Sequence, residues 1–570
     1  MGGDLRLFTR MHLNITDHLA DALRQALAAA GLPAPEDVFW EPTREERHGD
    51  YATNAAMTLA REARQAPRKV AEAVVAHFPK TAAVERLEIA GPGFLNVYLS
   101  PRWCADALHG ILGEGEGYGT GQTGVGKRYL LEFVSANPTG PLLIVNARAA
   151  AVGDALARLL RYQGSAVHCQ YYINDAGNQF QALARSLEVR LRQALGESVE
   201  LPEESYQGEY LVDLARDFLA KDPVGMRAAL VLPEAERRER LGRLAVAHFV
   251  DEQRRILADY GTVFDSWIHE ASDVRAAGLP ERAIETLTAG GHTFEQDGAL
   301  WFRSTAFGDD QDRVLRKSDG ELTYFAVDIG FHHFVKFADV DSVVDFLGPD
   351  HHGYIPRIKA AMQALGHPPE AFDVLVVQLV TLLRDGQPVR MSKRRGEFVL
   401  MEELLEEVGR DAARFTFLTK RQDTPLDFDL AVATRHSAEN PVFYVQYCYA
   451  RVASLFRTAA EQGVALPPWE QVDFSPLALD EEQRLIKRLL RYPNLLSAAA
   501  PAREPHRVAY YLYELAGLFH PYYKAHRIIT EDRPLTLARL GLCAAVGQVA
   551  RNGLGLLGVS APDRMTREPD

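Results

Sequence analysis

The stretch that most limits what this chain can fold into is LLEFVSANPTGPLLIVNARAAAVGDALARLL, residues 130–160. Residues 130–136 form a short apolar run rich in Phe, Val and Leu, as in a buried strand, and Asn137-Pro138-Thr139-Gly140-Pro141 is a turn by composition. From 144 to 162, Ala, Leu and Val recur at helical spacing with Arg on the other face, which predicts an amphipathic helix. Strand, tight turn and helix in that order commit the segment to an α/β unit. The free N–H groups of the first helical turn then point back over the strand end, a geometry that binds phosphate. The same unit also serves as an ordinary piece of a buried sheet, and both uses stay open at this point.

A second unit follows: 166–173 has alternating, β-branched character, and Asn174-Asp175-Ala176-Gly177-Asn178-Gln179 is a turn into a long helix. Two βα units in succession predict a parallel, doubly wound, Rossmann-like sheet. The almost wholly helical text from 180 to 257 reads as an insertion splitting that sheet, placed at about 180–295. Strand character returns at 299–303 and 312–316. The apolar runs at 322–330 and 343–354, ending in Gly, Asp and His, read as strand ends lining a crevice. A β-like run at 374–383 leads into RDGQPVRMSKRRG at 384–396, and beyond about 426 the text is helical. Before all this, 1–105 predicts a small α+β module with helices at 15–30, 51–65 and 67–78 and a Gly91-Pro92-Gly93 turn between two strand-like runs. The Gly-rich 113–127 reads as a linker or mobile loop and lacks the Gly-Lys-Ser/Thr ending of a P-loop. The fold class is therefore α/β: an N-terminal α+β domain (1–110), a doubly wound parallel-sheet domain with a helical insertion (111–425) and a C-terminal all-α domain (426–570).

No run approaches the roughly 20 apolar residues of a membrane span and no secretory pattern opens the chain, so a cytoplasmic protein without membrane contact is expected. The four cysteines, Cys104, Cys169, Cys448 and Cys543, lack paired spacing; structural thiols are expected, with no zinc. His351-His352 invites a metal reading, but no third ligand stands at fitting spacing, and no metal site is assigned. A net charge of −14 opposes a nucleic-acid partner as a sum, yet affinity for phosphate depends on local patches such as the basic run at 390–395. No Gly-x-Gly-x-x-Gly turn between a predicted strand and its helix, with a ribose-binding acid downstream, supports a dinucleotide oxidoreductase. Tyr324 and Asp328, four apart, share a face if locally helical, and Asp is the residue type that grips a guanidinium through two parallel hydrogen bonds; alone it reads equally as a helix cap. Aromatics interleaved with cations at 440–451 and 519–527 suit either a helical core or the stacking of exposed bases.

The wording EFVSANPTGPL at 132–142, with Arg390-Met391-Ser392-Lys393-Arg394, resembles the two signatures of class I aminoacyl-tRNA synthetases and, within that class, the arginyl enzymes of bacterial type. Gly-Asp-Tyr-Ala at 49–52, Gly-Pro-Gly-Phe-Leu-Asn at 91–96 and Gly-Val-Ser-Ala-Pro-Asp-Arg-Met at 558–565 resemble the same family, so the likeness spans the chain. One departure stands out: where the family has His-x-Gly-His, this chain has Leu143-Ile144-Val145-Asn146. The resemblance implies an arginine–tRNA ligase that takes L-arginine, ATP with Mg2+ and tRNA(Arg), works as a monomer, and proceeds through arginyl-adenylate. It implies arginine binding by Glu132, Ser135, Asn137, Tyr324 and Asp328; ATP binding by Pro138, Thr139, Gly140, Leu143, Asn146, His351, Met391, Ser392 and Lys393; and tRNA binding by Asn54, Tyr444, Tyr447 and Met565. Asn146, Arg148 and Lys393 are the expected catalytic residues, with Lys127 able to share the role of Lys393. The lost imidazoles motivate an alternative, a non-catalytic tRNA-binding or arginine-sensing paralogue.

Overall fold

The computed structural model describes residues 15–35, 38–43, 45–389 and 399–566. Near the N-terminus an antiparallel sheet runs in the order β1-β2-β4-β3, from β1 (Glu41–Pro42), β2 (Tyr51–Thr53), β3 (Val84–Ala90) and β4 (Phe94–Leu99), accompanied by helices Ile15–Ala29, Ala55–Leu59 and Pro67–His77. The helix predicted over 51–65 is shorter than expected because Tyr51 and Thr53 are buried at strand period and pair with Val97 and Leu95 of β4. Gly93 turns β3 into β4 with φ +154°, and a Cβ there would sit 3.0 Å from Cβ of Pro67.

The central sheet contains β5 (Arg128–Glu132), β6 (Ala166–Ile173), β7 (Ser266–His269), β11 (Ser342–Leu347) and β12 (Phe372–Val376), all parallel, in the order β12-β11-β5-β6-β7. Counted within the sheet this is the doubly wound order 3-2-1-4-5, which reverses direction between β5 and β11 and opens a crevice at their carboxyl ends. The helix Ile144–Tyr162 follows β5 as the spacing predicts. Helices Gly177–Ala194, Tyr210–Lys221, Pro223–Leu230 and Glu234–Asp259 form the crossover from β6 to β7, so β7 lies inside the segment read as a helical insertion. Four half-buried residues at a sheet edge carry too little pattern to announce a strand. A separate antiparallel sheet, β8 (Thr293–Gln296), β9 (Ala299–Phe302) and β10 (Arg313–Arg316), has β9 in the middle.

Two expectations need correction here. The run 322–330 is not a strand end; it is the helix Tyr324–Phe331, started by Thr323, whose hydroxyl accepts the Ala326 N–H. Its Phe325, Ala326, Val327, Ile329, Gly330 and Phe331 are all buried, and a helix apolar on nearly every side shows no 3.6 period. The run 374–383 is two strands: β12, and β13 (Val380–Arg384), which pairs antiparallel with β14 (Gln387–Pro388) and parallel with β15 (Leu426–Asp429) in a third sheet.

Helices Pro441–Glu461, Asp480–Leu490, Tyr492–Ala502, His506–Ala525 and Arg533–Leu556 form the C-terminal bundle. The Gly-rich 113–127 is no mobile loop. Tyr118 is wholly buried and donates to the Leu489 carbonyl at 2.9 Å, and Asn552 Nδ2 donates to the Gly115 carbonyl at 3.0 Å. Gly119 has φ +94°, and a Cβ on it would meet the Tyr492 ring at 2.8 Å. Arg414, fully buried, pairs with Asp154 of helix Ile144–Tyr162 and donates to the Leu557 carbonyl at 3.0 Å, tying the central sheet to the bundle. All four cysteines are buried free thiols. Among the described residues no helix is long and apolar enough to cross a membrane.

Candidate active site

β5 ends at Glu132, and two residues beyond it Val134 and Ser135 have φ of 69° and 35°, a left-handed backbone that costs side-chain-bearing residues about 1–3 kcal/mol each. Groups around the turn hold it in place. The Ser135 hydroxyl accepts the Tyr172 N–H at 3.1 Å, and the Ala136 N–H donates to the Tyr171 hydroxyl at 3.0 Å. Tyr210 donates to the Thr139 carbonyl at 2.8 Å, and the buried Gln253 carboxamide reaches the carbonyls of Asn137 and Gly140, each at 3.3 Å. Pro138 is buried and Asn137 exposed. A Cβ on Gly140 would come within 3.2 Å of the Tyr210 ring.

The first turn of helix Ile144–Tyr162 is less open than expected. The Leu143 N–H donates to Asn146 Oδ1 at 2.8 Å, the Ile144 N–H to the Val399 carbonyl at 3.1 Å and the Asn146 N–H to the Leu143 carbonyl at 2.9 Å. Two of these donors are taken within the helix start and the Ile144 N–H by a strand-like segment that lies on it: Leu143 bridges Leu400 antiparallel, and the Met401 N–H donates to the Leu142 carbonyl at 2.8 Å. Met391, Ser392 and Lys393 lie outside the described residues. The segment that follows them returns on the divergent tetrad itself. His351 stands in the tight turn Pro349–Tyr354 after β11, and its side chain also lies outside the description. Half-buried Asn146 keeps its Nδ2 for other partners, since only Oδ1 serves the helix start.

Arg148 is a correction. It is fully buried, and its guanidinium is spent on four main-chain carbonyls: Gln378 at 2.8 Å and Leu379 at 3.4 Å from Nη1, Arg421 at 3.0 Å and Thr424 at 2.7 Å from Nη2. Burial lowers its pKa to about 10. It is a strut between helix Ile144–Tyr162 and the loops flanking β13 and β15, with both Nη atoms occupied and only the buried Nε–H without a partner among the described residues.

Across the crevice Asp328, 26% exposed, lies on helix Tyr324–Phe331, and Tyr324 stands exposed at its start. The Tyr324 hydroxyl is near Gly177, where a Cβ would approach it to 2.8 Å. Glu132 on β5 is the register partner of Asp345 on β11. Lys336 Nζ lies 2.8 Å from Glu132 Oε2 and 2.7 Å from Asp345 Oδ2; His332 Nε2 lies 2.8 Å from Asp345 Oδ2 and its Nδ1 3.2 Å from Asp328 Oδ1. Burial and the Lys336 ammonium oppose a charge on His332, but Asp328 and Asp345 outweigh them and raise its pKa to about 9. Burial also works against the charge on Lys336; Asp345 and Glu132 overcome it and hold the ammonium well above its ordinary range. For Asp345 burial is likewise outweighed, by Lys336 and His332, and its pKa falls; for Glu132 burial wins over Lys336 and its pKa rises. At the rim the Tyr172 hydroxyl donates to Glu270 Oε2 at 2.8 Å, and Arg275 Nε donates to Glu270 Oε1 at 2.6 Å.

The structure therefore brings Glu132, Ser135, Asn137, Tyr324 and Asp328 to one end of the sheet. Lys336, Asp345, His332 and Gln253 were not picked out in the sequence. Asp328, His332 and Lys336 at i, i+4 and i+8 are a readable ion-pair ladder once the segment is known to be helical. Gln253 is a lone polar residue on the buried face of its helix. Far from this crevice, His436, Phe443 and Tyr447 form a stack with centroids 5.7 and 5.5 Å apart, and the Arg451 guanidinium lies 4.6 Å over Tyr447. Tyr447 and Met565 line a cavity of about 790 Å³ there, and Tyr444 an adjoining one of about 310 Å³. Asn54 sits apart, in a groove of the N-terminal sheet with Phe94 and Asn96.

A doubly wound sheet, a strained turn with a helix after its first strand and an acidic crevice at its reversal point are joined by matches to three family models. They are described as the arginyl tRNA synthetase N terminal domain (residues 16–99), the tRNA synthetases class I (R) catalytic domain (108–434) and the DALR anticodon binding domain (445–565). The central domain is thus that of a class I aminoacyl-tRNA synthetase. The arginine–tRNA ligase of Symbiobacterium thermophilum is 47% identical over 98% of this chain and 100% of its own length; that of Desulforamulus reducens is 45% identical over 97% and 99%. The chain belongs to the arginyl-tRNA synthetase family. Among solved structures, a putative arginyl-tRNA synthetase from Campylobacter jejuni matches with TM-score 0.75 and 32% identity over 82% of this chain and all of that one. The Thermus thermophilus enzyme, 24% identical with TM-score 0.75 over 96% of this chain and all of that one, shares the fold.

Proposed function

We propose that this chain ligates L-arginine to tRNA(Arg), taking ATP as its Mg2+ complex. The arginine carboxylate attacks the α-phosphorus in line and pyrophosphate leaves; then a hydroxyl of the terminal tRNA ribose attacks the carbonyl of the adenylate and AMP leaves. Neither step needs a protein nucleophile, so catalysis rests on positioning and on donors aimed at growing phosphate charge. The observation that carries this reading is the set of carboxylates, Glu132 with Asp328 opposite, at the reversal point of the sheet, suited to a guanidinium. Ser135 and Asn137 shape the floor of the pocket and Tyr324 its exposed wall. Pro138, Thr139, Gly140 and Leu143 line the nucleotide side, joined by His351, Met391, Ser392 and Lys393. Asn146 offers Nδ2 where the family has its second imidazole. Each donor lost with the missing rings would cost ~2.7–4 kcal/mol of transition-state stabilisation, which Lys393, or Lys127, has to offset. Residues 1–110, with Asn54, meet the tRNA elbow and 426–570, through Tyr444, Tyr447 and Met565, the anticodon. The same reading makes the chain a cytoplasmic monomer, checked by light scattering at assay concentration.

Whole-chain identity near 45% to arginine–tRNA ligases favours catalysis over the paralogue that only binds tRNA or senses arginine. The test is aminoacylation of cognate tRNA by the purified protein with arginine and ATP, with pyrophosphate release followed in parallel and tRNA present throughout. Arginyl-tRNA formation is expected; tRNA binding with no pyrophosphate release would overturn the proposal.

A further inference from the structure

The buried groups behind Asp328 do more than pack. Three carboxylates, Glu132, Asp328 and Asp345, meet two cations, Lys336 and His332, in a cluster whose Lys336 and His332 are 2% and 3% exposed. With all five ionised the cluster holds one uncompensated negative charge. Its geometry is that of a molecule short of one donor. Asp345 Oδ1 is buried with no hydrogen-bond partner among the described residues, and Glu132 Oε2 meets Lys336 as an ion pair without hydrogen-bond alignment. If both imidazole nitrogens carry protons, Nδ1–H donates to the Asp328 main-chain carbonyl at 2.8 Å, with the Asp328 carboxylate 3.2 Å away, Nε2–H donates to Asp345, and the 3.0 Å from Lys336 Nζ to His332 Nε2 is an approach of two cations that only the three carboxylates make tolerable.

We infer that Lys336 and Asp345 are positioning residues for arginine: Lys336, anchored on Asp345 of β11, holds the Glu132 carboxylate of β5 in place, and together they leave the cluster one net negative charge, which selects a cationic side chain. The inference rests on the reading of Glu132 and Asp328 as the guanidinium site. The groups facing Lys336 are Glu132 from β5, Asp345 from β11, His332 and Asp328 from its own helix and turn, and the Phe331 ring 4.9 Å away. Remove the ammonium and burial pushes Glu132 and Asp345 to take up protons, so the pocket loses its charge at low pH and recovers it as pH rises.

The experiment measures arginine KM and ATP KM in tRNA aminoacylation from pH 6.0 to 8.5 for wild type, Lys336→Met, Asp345→Asn, the double variant and Asp328→Asn. Expected for Lys336→Met is an arginine KM raised roughly ten- to hundredfold at pH 6.0 that falls back at least severalfold by pH 8.5, with ATP KM unmoved. Asp345→Asn, which leaves the pocket neutral, should raise arginine KM without that pH slope. The double variant restores the charge count and should return toward wild type, and it stands in for Lys336→Met should the single variant not fold. An arginine KM that stays at the wild-type value in Lys336→Met and Asp345→Asn, or a double variant worse than both singles, overturns the inference. If Asp328→Asn also leaves arginine KM unchanged, it is the pocket assignment that fails.

Discussion

Asn146 divides its carboxamide between two jobs that single substitutions can separate, because Oδ1 caps the Leu143 N–H while Nδ2 makes no hydrogen bond among the described residues. Asn146→Asp keeps the acceptor and loses the donor; it should leave the melting temperature within about 2 °C but slow adenylate formation roughly 10- to 100-fold in single-turnover kinetics. An unchanged rate would make the amide only a cap. Arg148 should behave in the opposite way. Arg148→Met strands four carbonyls and is expected to lower stability by about 2–4 kcal/mol, seen as a calorimetric shift, with little change in arginine KM. Asp328→Asn should raise arginine KM about 30-fold or more at pH 7.5 while ATP KM holds. Residue chemistry and spacing made Asp328 a candidate for a guanidinium, while its arginine-binding role came with the family resemblance. An arginine one turn into a helix beside a nucleotide corner, as Arg148 is, looks poised for phosphate, and nothing local reveals that main-chain carbonyls of 378, 379, 421 and 424 hold both its Nη atoms.

Helix Tyr324–Phe331 carries the pocket acid, and its position is fixed by a close crossing. Gly330 packs where a Cβ would lie 2.7 Å from the Leu279 main chain at the start of helix Leu279–Ala289. Gly330→Ala must push the two helices apart; about 1–3 kcal/mol of destabilisation and a raised arginine KM are expected together, from a melt and a titration of the same sample. In the bundle the stacked His436, Phe443 and Tyr447 offer a flat face beside the Arg451 cation. Tyr447→Ala should therefore raise tRNA KM roughly 5- to 100-fold, the value of one base stack, and leave arginine KM alone. At this scale amphipathic elements were legible: the helix at 144–162 and the strand at 166–173 end where their patterns predict. Elements apolar around most of their surface, or only a few residues long at an edge, were not, and Tyr324–Phe331 and β7 are two such cases. Periodicity needs a wet face to be visible.

The three parts of the molecule interlock through groups that no single segment advertises. Tyr118 reads as one aromatic in a glycine-rich linker until the Leu489 carbonyl is seen above it, and the contact spans over 370 positions of sequence. Fold class followed from the order of elements, whereas such long-range pairings depend on a topology that the residues alone do not spell out. Two of these ties reach the end of the chain: Asn552 holds the carbonyl of Gly115, and Leu557 holds Arg414, which in turn holds Asp154 on the helix behind the nucleotide corner. During synthesis the linker and that helix leave the ribosome more than 390 residues before their last partners do. The nascent enzyme must therefore wait, with its central sheet formed but unlatched, until the final helix arrives to close it.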